Sequence, residues 1–279
     1  MSPEPRISVV IPAYNEERGI AAAIADARAW LEERGLDHEL IVVDNASTDA
    51  TVERLQPLLD EPRVRLLRNE RNRGKGHSMR RGMLEARGAL RLHCDADCVG
   101  SFASLERMLE LIESADVVVG SRLAEGAQVG RRQPLRRRIV GRAFVELCRR
   151  VLREPTHDLY CGFKLWRAEA AEAAYANTRL EDWVFDAEVL AMARALGFRI
   201  RETGIAWADR EGSRLSMGRV LVPALRDLAT ARRSVRRAAR SGASTAPSGG
   251  AASGAGAASG EPAGSASSPA LVPEPLDRP

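Results

Sequence analysis

Residues 93–98 read His93-Cys94-Asp95-Ala96-Asp97-Cys98, a run in which every residue but Ala96 is a potential metal ligand. Two chemistries compete for it. Thiolates and an imidazole suit a soft, tetrahedral Zn²⁺ site. Paired carboxylates suit a hard cation such as Mg²⁺ or Mn²⁺, which completes its shell with water and phosphate oxygens. The preceding residues form an apolar run, ALRLHCD (89–95), that reads as a strand. Successive strand residues face opposite sides, so His93, Cys94 and both carboxylates cannot converge on one ion. The other soft ligands, Cys161 and His157, lie far along the chain. Asp95 and Asp97 flank one small residue at a strand end and share the space beyond it. The spacing therefore favours the hard cation, held by Asp95 and Asp97. It leaves His93 and Cys94 to strand packing and gives Cys98 no role.

Other strand ends carry compatible groups. The first apolar run ends in Pro12-Ala13-Tyr14-Asn15-Glu16, with neither a Gly-rich turn nor a P-loop. A nucleotide here would be held by side chains, with Tyr14 against a ring and Glu16 on a hydroxyl. Asp44 ends the second run, VVDNAST, where a carboxylate either accepts from a base or ribose or closes an Asx turn. In RNERNRGKGHS (68–78), Gly74 and Gly76 flank Lys75. Glycines permit close backbone approach and Lys75 adds a point charge, a combination suited to a diphosphate.

Taken in order, VVIPAYNE, VVDNASTD, NRGKG, DAD and GSR resemble the nucleotide-sugar domain of family 2 glycosyltransferases, which have the GT-A fold. Downstream, DLYCGFKLWR, DWVFDAEVL and IAWADREGSRLSM are similar to the polyprenyl-phosphate hexose synthases, and more to the dolichyl-phosphate glucosyltransferases than to the mannose enzymes. The resemblance spans roughly residues 7–218. It implies nucleotide contact by Pro12, Tyr14 and Glu16, a base pocket at Val42 and Asp44, Lys75 near the diphosphate, and a metal and nucleotide motif at Asp95, Ala96 and Asp97. It also implies an active-site arginine at Arg122, an acceptor-phosphate arginine at Arg136, and a basic pair at Arg210 and Arg214. Two positions depart from the pattern. Val99 stands where some relatives offer a Gln metal ligand, and Arg214 replaces a more usual Lys.

The implied activity is an inverting transfer of a hexose from a nucleotide sugar, UDP-glucose favoured over GDP-mannose, to a polyprenyl phosphate, with Mg²⁺ or Mn²⁺ as cofactor. Asp97, Arg122, Arg136 and Arg210 would carry the catalysis. A lipid phosphate is already anionic near neutral pH, its second pKa lying near ~6. It needs positioning by arginines rather than a general base. A hydroxyl acceptor would need such a base, for which Asp186 and Glu188 are the candidates.

The elements that must position these groups alternate along the chain. Runs at 7–12, 39–44, 64–68, 89–95 and 116–121 read as buried strands; 16–34, 48–60, 77–87 and 103–114 read as helices. Continuous apolar strands alternating with helices predict an α/β fold, a mostly parallel sheet flanked by helices, with ligands at the carboxyl edge. Farther on, 160–166 and 198–205 read as strands, and 168–176 and 183–196 as helices. Segments 134–153 and 219–240 read as basic amphipathic helices. Their arginines, edging apolar faces, suit an anionic membrane surface or a separate membrane subunit. The predicted organisation is a catalytic domain at 1–218, a basic helix at 219–240, and a disordered tail rich in Ala, Ser, Gly and Pro at 241–279.

Composition sets the outer bounds. Among the 279 residues, 44% are hydrophobic, enough for an ordinary core. No leader pattern opens the chain and no run of ~18 apolar residues occurs. Four cysteines are too sparse for a secreted disulfide scaffold. The expectation is a cytoplasmic chain, peripheral at the cytoplasmic face of the membrane. Aromatic residues make up only 4%, and an acidic pair sits at the site, which argues against nucleic acid as the partner of the arginine clusters. A non-catalytic sugar-nucleotide sensor is the remaining alternative.

Overall fold

The computed structural model describes residues 5–98, 101–130, 135–207 and 217–242, and the statements below concern those residues. Strands β1 (Ile7–Ala13) and β2 (His38–Asp44) are buried along nearly their whole length. Strands of this kind belong in the interior of a sheet covered on both faces. They pair in parallel register from Ile7↔His38 to Ala13↔Asp44, which brings the Tyr14 and Asp44 ends to one edge. The helix α1 (Ile20–Glu33) follows β1, and α2 (Thr51–Leu55) follows β2. Both are shorter than the sequence pattern predicts. Residues 14–19 form a loop, and Pro57, lacking an N–H, turns the end of the second helix into a 3₁₀ turn at Gln56–Leu58.

The chain continues through β3 (Val64–Arg68), α3 (Lys75–Glu85), β4 (Leu90–Cys94), α4 (Leu105–Leu111) and β5 (Val117–Ser121). After the two-residue β6 (Gln128–Val129) come α5 (Leu135–Leu152), β7 (Phe163–Arg167), α6 (Ala168–Asn177), α7 (Phe185–Ala195), β8 (Ile200–Gly204), β9 (Ala206–Trp207) and α8 (Met217–Gly242). The sheet order is β3-β2-β1-β4-β7-β5-β8, and β6 pairs with β9. Every pairing in the large sheet is parallel except those of β7, which runs antiparallel between β4 and β5. Its start, Phe163, lies opposite Cys94 at the carboxyl end of β4. The segment entering β7 thus lies beside Asp95.

Each face of the sheet has its own apolar layer. One layer joins Val9, Ile11, Val42 and Leu92 to α1 and α4 through Ile24, Leu31, Leu105 and Met108. The other joins Val10 and Val43 to α3, α6 and α7 through Met79, Met83, Tyr175 and Phe185. Helix α7 is buried on every side from Phe185 to Ala193, because α8 covers it from outside. That placement corrects the reading of 219–240. Among the described residues, Ala224, Leu228, Ala231 and Val235 form its apolar stripe, and the stripe packs into the core instead of facing lipid. Leu225 is exposed. On α5, Cys148 and Leu152 are buried while Val140 and Leu147 are exposed. Val99, Arg210, Arg214 and the expected tail from 243 onward lie outside the described residues.

Candidate active site

The loops after β1 and β2 are tied together strut by strut. The Asn15 amide donates to Ser47 Oγ at 3.0 Å, and the Thr48 amide donates to Asn15 Oδ1 at 2.8 Å. The Glu16 amide donates to Thr51 Oγ1 at 2.8 Å, and the Ala50 amide to Glu17 Oε2 at 3.1 Å. Tyr14 stands out from this lattice, 45% exposed. Pro12, at the last turn of the strand, is half-buried. Asp44 closes an Asx turn with one oxygen and leaves the other without a hydrogen bond among the described residues. Its Oδ1 accepts from the Ser47 amide at 3.2 Å, closing the Asx turn. Its Oδ2 is buried with no hydrogen-bond partner among the described residues, 3.6 Å from Arg68 Nε. An orphaned buried acceptor is costly unless a ligand supplies a donor. Val42, on the same strand face, is wholly enclosed in the apolar layer, so its side chain cannot line a pocket.

An amide network fixes the loop before α3. Asn45 Nδ2 donates to Asn72 Oδ1, and Asn69 Nδ2 donates to Asn45 Oδ1 and Ser78 Oγ. The flanking glycines serve the protein's own packing. A Cβ on Gly74 would lie 2.2 Å from the Glu181 carbonyl oxygen, and one on Gly76 would lie 2.7 Å from Phe185 Cβ. Residues 180–185 thus approach this loop closely. An open hollow of about 530 Å³ adjoins this loop, lined by Arg71, Arg73, Glu181 and Asp182 among others.

Lys75 reaches back to the sheet edge. Its Nζ donates to Asp95 Oδ2 at 2.8 Å and to Asp186 Oδ2 at 3.0 Å. Lys164 Nζ donates to the other oxygen of Asp186 at 2.6 Å. Lys164, Asp186 and His93 are all buried. Burial opposes charge on Lys75, but Asp186 and then Asp95 outweigh it and hold the ammonium above its usual range. Burial would raise the Asp186 carboxyl; Lys164 and Lys75 reverse that and keep it ionised. Asp95 is likewise held well below the carboxylate range, chiefly by Lys75 against its own burial.

His93 belongs to this cluster, which corrects its assignment to packing alone. Its Nε2 lies 3.4 Å from Asp95 Oδ1, and its Nδ1 lies 3.1 Å from the Tyr175 hydroxyl. Burial, and then the Lys164 charge, push its pKa down to about 4. Cys94 faces the opposite layer, as strand alternation requires.

Asp97 is exposed at the rim, with Ala96 buried behind it. The crowded concavity still removes hydration on its inner side. That loss, and then the Asp95 charge, raise its carboxyl above the usual range. Asp95 is seated by Gly162, where an added Cβ would lie 2.0 Å from Asp95 Oδ2. The Asp95 amide also donates to the Gly162 carbonyl at 2.8 Å. Among the described residues, no group of three His, Cys, Asp or Glu side chains converges as a cation cage. The thiols are unpaired and buried. The donor set is therefore a hard carboxylate pair, and the unpartnered buried Asp95 Oδ1 fits a site that a cation and diphosphate oxygens complete together.

Arg122, at the end of β5, is already engaged. Its Nε donates to Asp158 Oδ2 at 2.8 Å and its Nη2 to Asp158 Oδ1 at 2.7 Å. Its guanidinium lies 5.2 Å over the Trp207 ring. Two of its donors are therefore committed to Asp158. Sequence reasoning missed Asp158 and Lys164, whose partners lie 36 and 22 residues away with no local pattern linking them. Glu188, a candidate base, accepts the Arg179 and Leu180 amides at 3.1 and 2.9 Å and serves as an internal cap. Arg136 lies in the first turn of α5, and its side chain is outside the described part.

Comparison with other proteins gives the family and the fold. Residues 8–174 match Glycosyl transferase family 2. The chain is 31% identical to a dolichyl-phosphate beta-glucosyltransferase of Dictyostelium discoideum, over 81% of this chain and 73% of that one. It is 33% identical to the Mus musculus dolichyl-phosphate beta-glucosyltransferase, over 77% and 71%. In fold it resembles the glucosyl-3-phosphoglycerate synthase of Mycobacterium tuberculosis, solved with Mn²⁺, UDP and phosphoglyceric acid. That likeness has a TM-score of 0.62 at 21% identity, covering 82% and 78% of the two chains. A mannosyltransferase from Pyrobaculum calidifontis, solved with GDP-mannose and Mn²⁺, gives 0.55 at 16%, covering 88% and 77%. The family match covers more than half of the chain, which therefore belongs to glycosyltransferase family 2.

Proposed function

We propose that the protein is an inverting hexosyltransferase that moves glucose from UDP-glucose to a polyprenyl phosphate at a membrane surface. The observation that carries the acceptor class is the commitment of both candidate bases. Asp186 lies between two lysine ammonium groups, and Glu188 is wholly buried, with one carboxylate oxygen accepting the Arg179 and Leu180 amides. Asp186 is held as a carboxylate by its two lysines and Glu188 is sealed from an acceptor by burial, whereas a phosphate acceptor arrives ionised and needs no base. The likeness to dolichyl-phosphate beta-glucosyltransferases over more than two thirds of their length supports the same acceptor and glucose as the sugar.

In this reading Asp44 accepts from the base, Tyr14 lies along it, and Pro12 and Glu16 bound the nucleotide. Asp95 and Asp97 would hold Mg²⁺ or Mn²⁺, which when bound neutralises charge developing on the departing diphosphate. Arg122, Arg136 and Arg210 orient the acceptor phosphate, with Arg122 fixed by Asp158 and offering the rest of its guanidinium. Arg214 adds positive charge beside them. The protein's cytoplasmic placement, peripheral at the membrane, is part of the proposal. It is consistent with the described residues having no helix long and apolar enough to cross a membrane.

The test is transfer from a panel of UDP- and GDP-sugars to a short-chain polyprenyl phosphate. UDP-glucose is expected to give the lipid-linked product in the presence of Mg²⁺ or Mn²⁺. Transfer only to free sugars or protein hydroxyls would overturn the acceptor assignment, and preference for GDP-mannose the donor.

A further inference from the structure

Asp95 is half of an ion pair whose cation is the protein's own. Lys75 Nζ touches Asp95 at 2.8 Å and Asp186 at 3.0 Å, while Lys164 holds Asp186 from the other side at 2.6 Å. Two ammonium groups thus lie against the Asp95 and Asp186 carboxylates. Lys75 holds one oxygen of Asp95 and sits beside the other, where a further cation would have to bind. A divalent ion approaching Asp95 alone meets the Lys75 ammonium at contact range, where the repulsion is poorly screened.

A nucleotide diphosphate changes that balance. It brings negative charge to the same edge, offers Lys75 phosphate oxygens in exchange for Asp95, and frees the Asp95 carboxylate. Lys164 makes the exchange affordable in physical terms, because Asp186 keeps a partner when Lys75 leaves and no buried carboxylate is stranded. We propose that Lys75 is a resident cation that occupies Asp95 until the diphosphate arrives, so that the divalent metal enters only together with the nucleotide. Lys164 and Asp186 are then positioning residues for that exchange. The inference rests on reading the Asp95–Asp97 edge as the metal–nucleotide site.

The test follows Mn²⁺ binding by electron paramagnetic resonance and calorimetry, with and without UDP. The wild-type protein, Lys75→Met, Lys75→Gln and Lys75→Arg are compared, and melting curves check that each is folded. The wild type is expected to bind Mn²⁺ with UDP and not alone. Lys75→Met is expected to bind Mn²⁺ without UDP at least about tenfold more tightly than the wild type, the scale of one removed like charge nearby. Lys75→Gln, which keeps the polar chain and loses the charge, should gain similarly; Lys75→Arg should keep the exclusion. Equal wild-type affinity with and without UDP overturns the inference. So does UDP-dependent binding in the wild type with no gain in either neutral variant, and that outcome leaves the metal–nucleotide site standing. No Mn²⁺ binding by any protein under any condition removes the site and the inference together.

Discussion

At the scale of single residues, the two acids of Asp95-Ala96-Asp97 differ more than their spacing suggests. Asp95 is locked to Lys75 and seated against Gly162, while Asp97 is exposed at the rim. Asp97→Asn is therefore expected to reduce transfer at least about a hundredfold, the loss of one charge contact in a site that stabilises a leaving group. Its melting temperature should not move, and a paired activity and melting measurement checks both halves. Gly162→Ala should behave differently. Its Cβ would lie 2.0 Å from Asp95 Oδ2, so either Asp95 or β7 must shift. Overpacking of this kind costs about 1–3 kcal/mol, readable as a lower urea midpoint together with lost transfer. The acids were legible from sequence because type and spacing are local properties. The ties of the neighbouring groups were not, since Lys164 meets Asp186 and Asp158 meets Arg122 only once separate elements of the chain have packed together.

At the scale of elements, the buried strands were legible because continuous apolar runs have few alternatives in a two-faced sheet. The direction of β7 was not, since an apolar run reads the same whichever way it is inserted. Register also creates the polar tie at the opposite edge of the sheet. Glu39 of β2 accepts Ser8 Oγ at 2.7 Å, the Arg87 amide at 2.7 Å and Arg65 Nη1 at 2.9 Å. Burial alone would raise its carboxyl; the Arg87 amide, Ser8 and Arg65 outweigh burial and hold it below the ordinary range. A carboxyl depressed in the folded state is protonated more readily in the unfolded one. Its stabilisation is therefore fully present above the ordinary glutamate pKa and is lost as pH falls through the folded value. Glu39→Gln should lower stability at about pH 7 and flatten the decline as pH falls below the ordinary glutamate range. Urea midpoints of both proteins across that decline decide it, and parallel curves would exclude Glu39 from the acid limb.

For the whole molecule, the question is how a chain with no membrane-crossing helix among its described residues meets a lipid-borne acceptor. Helix α8 has its apolar stripe in the core, so insertion of that face into a bilayer would unpack α7. What α8 leaves outside is charge. Arg226, Arg233, Arg237 and Arg240 project from the side opposite Leu228 and Val235, and Asp227 is the helix's sole acid. Each arginine near an anionic surface contributes about 1 kcal/mol, with attraction that fades within a Debye length. Reversing Arg233, Arg237 and Arg240 together to Glu should therefore lower binding to phosphatidylglycerol vesicles by at least about a hundredfold. Binding by the wild type should weaken with added salt. Because these side chains are exposed, melting should be unchanged. Transfer to a detergent-dispersed short acceptor should persist while transfer to an acceptor embedded in vesicles falls. Unchanged vesicle binding by the triple variant would move the membrane contact elsewhere, with the exposed Val140 and Leu147 of α5 the next face to alter. Leu228→Asp provides the contrast, since it attacks the buried side of the same helix and should unfold the protein rather than release it from the membrane.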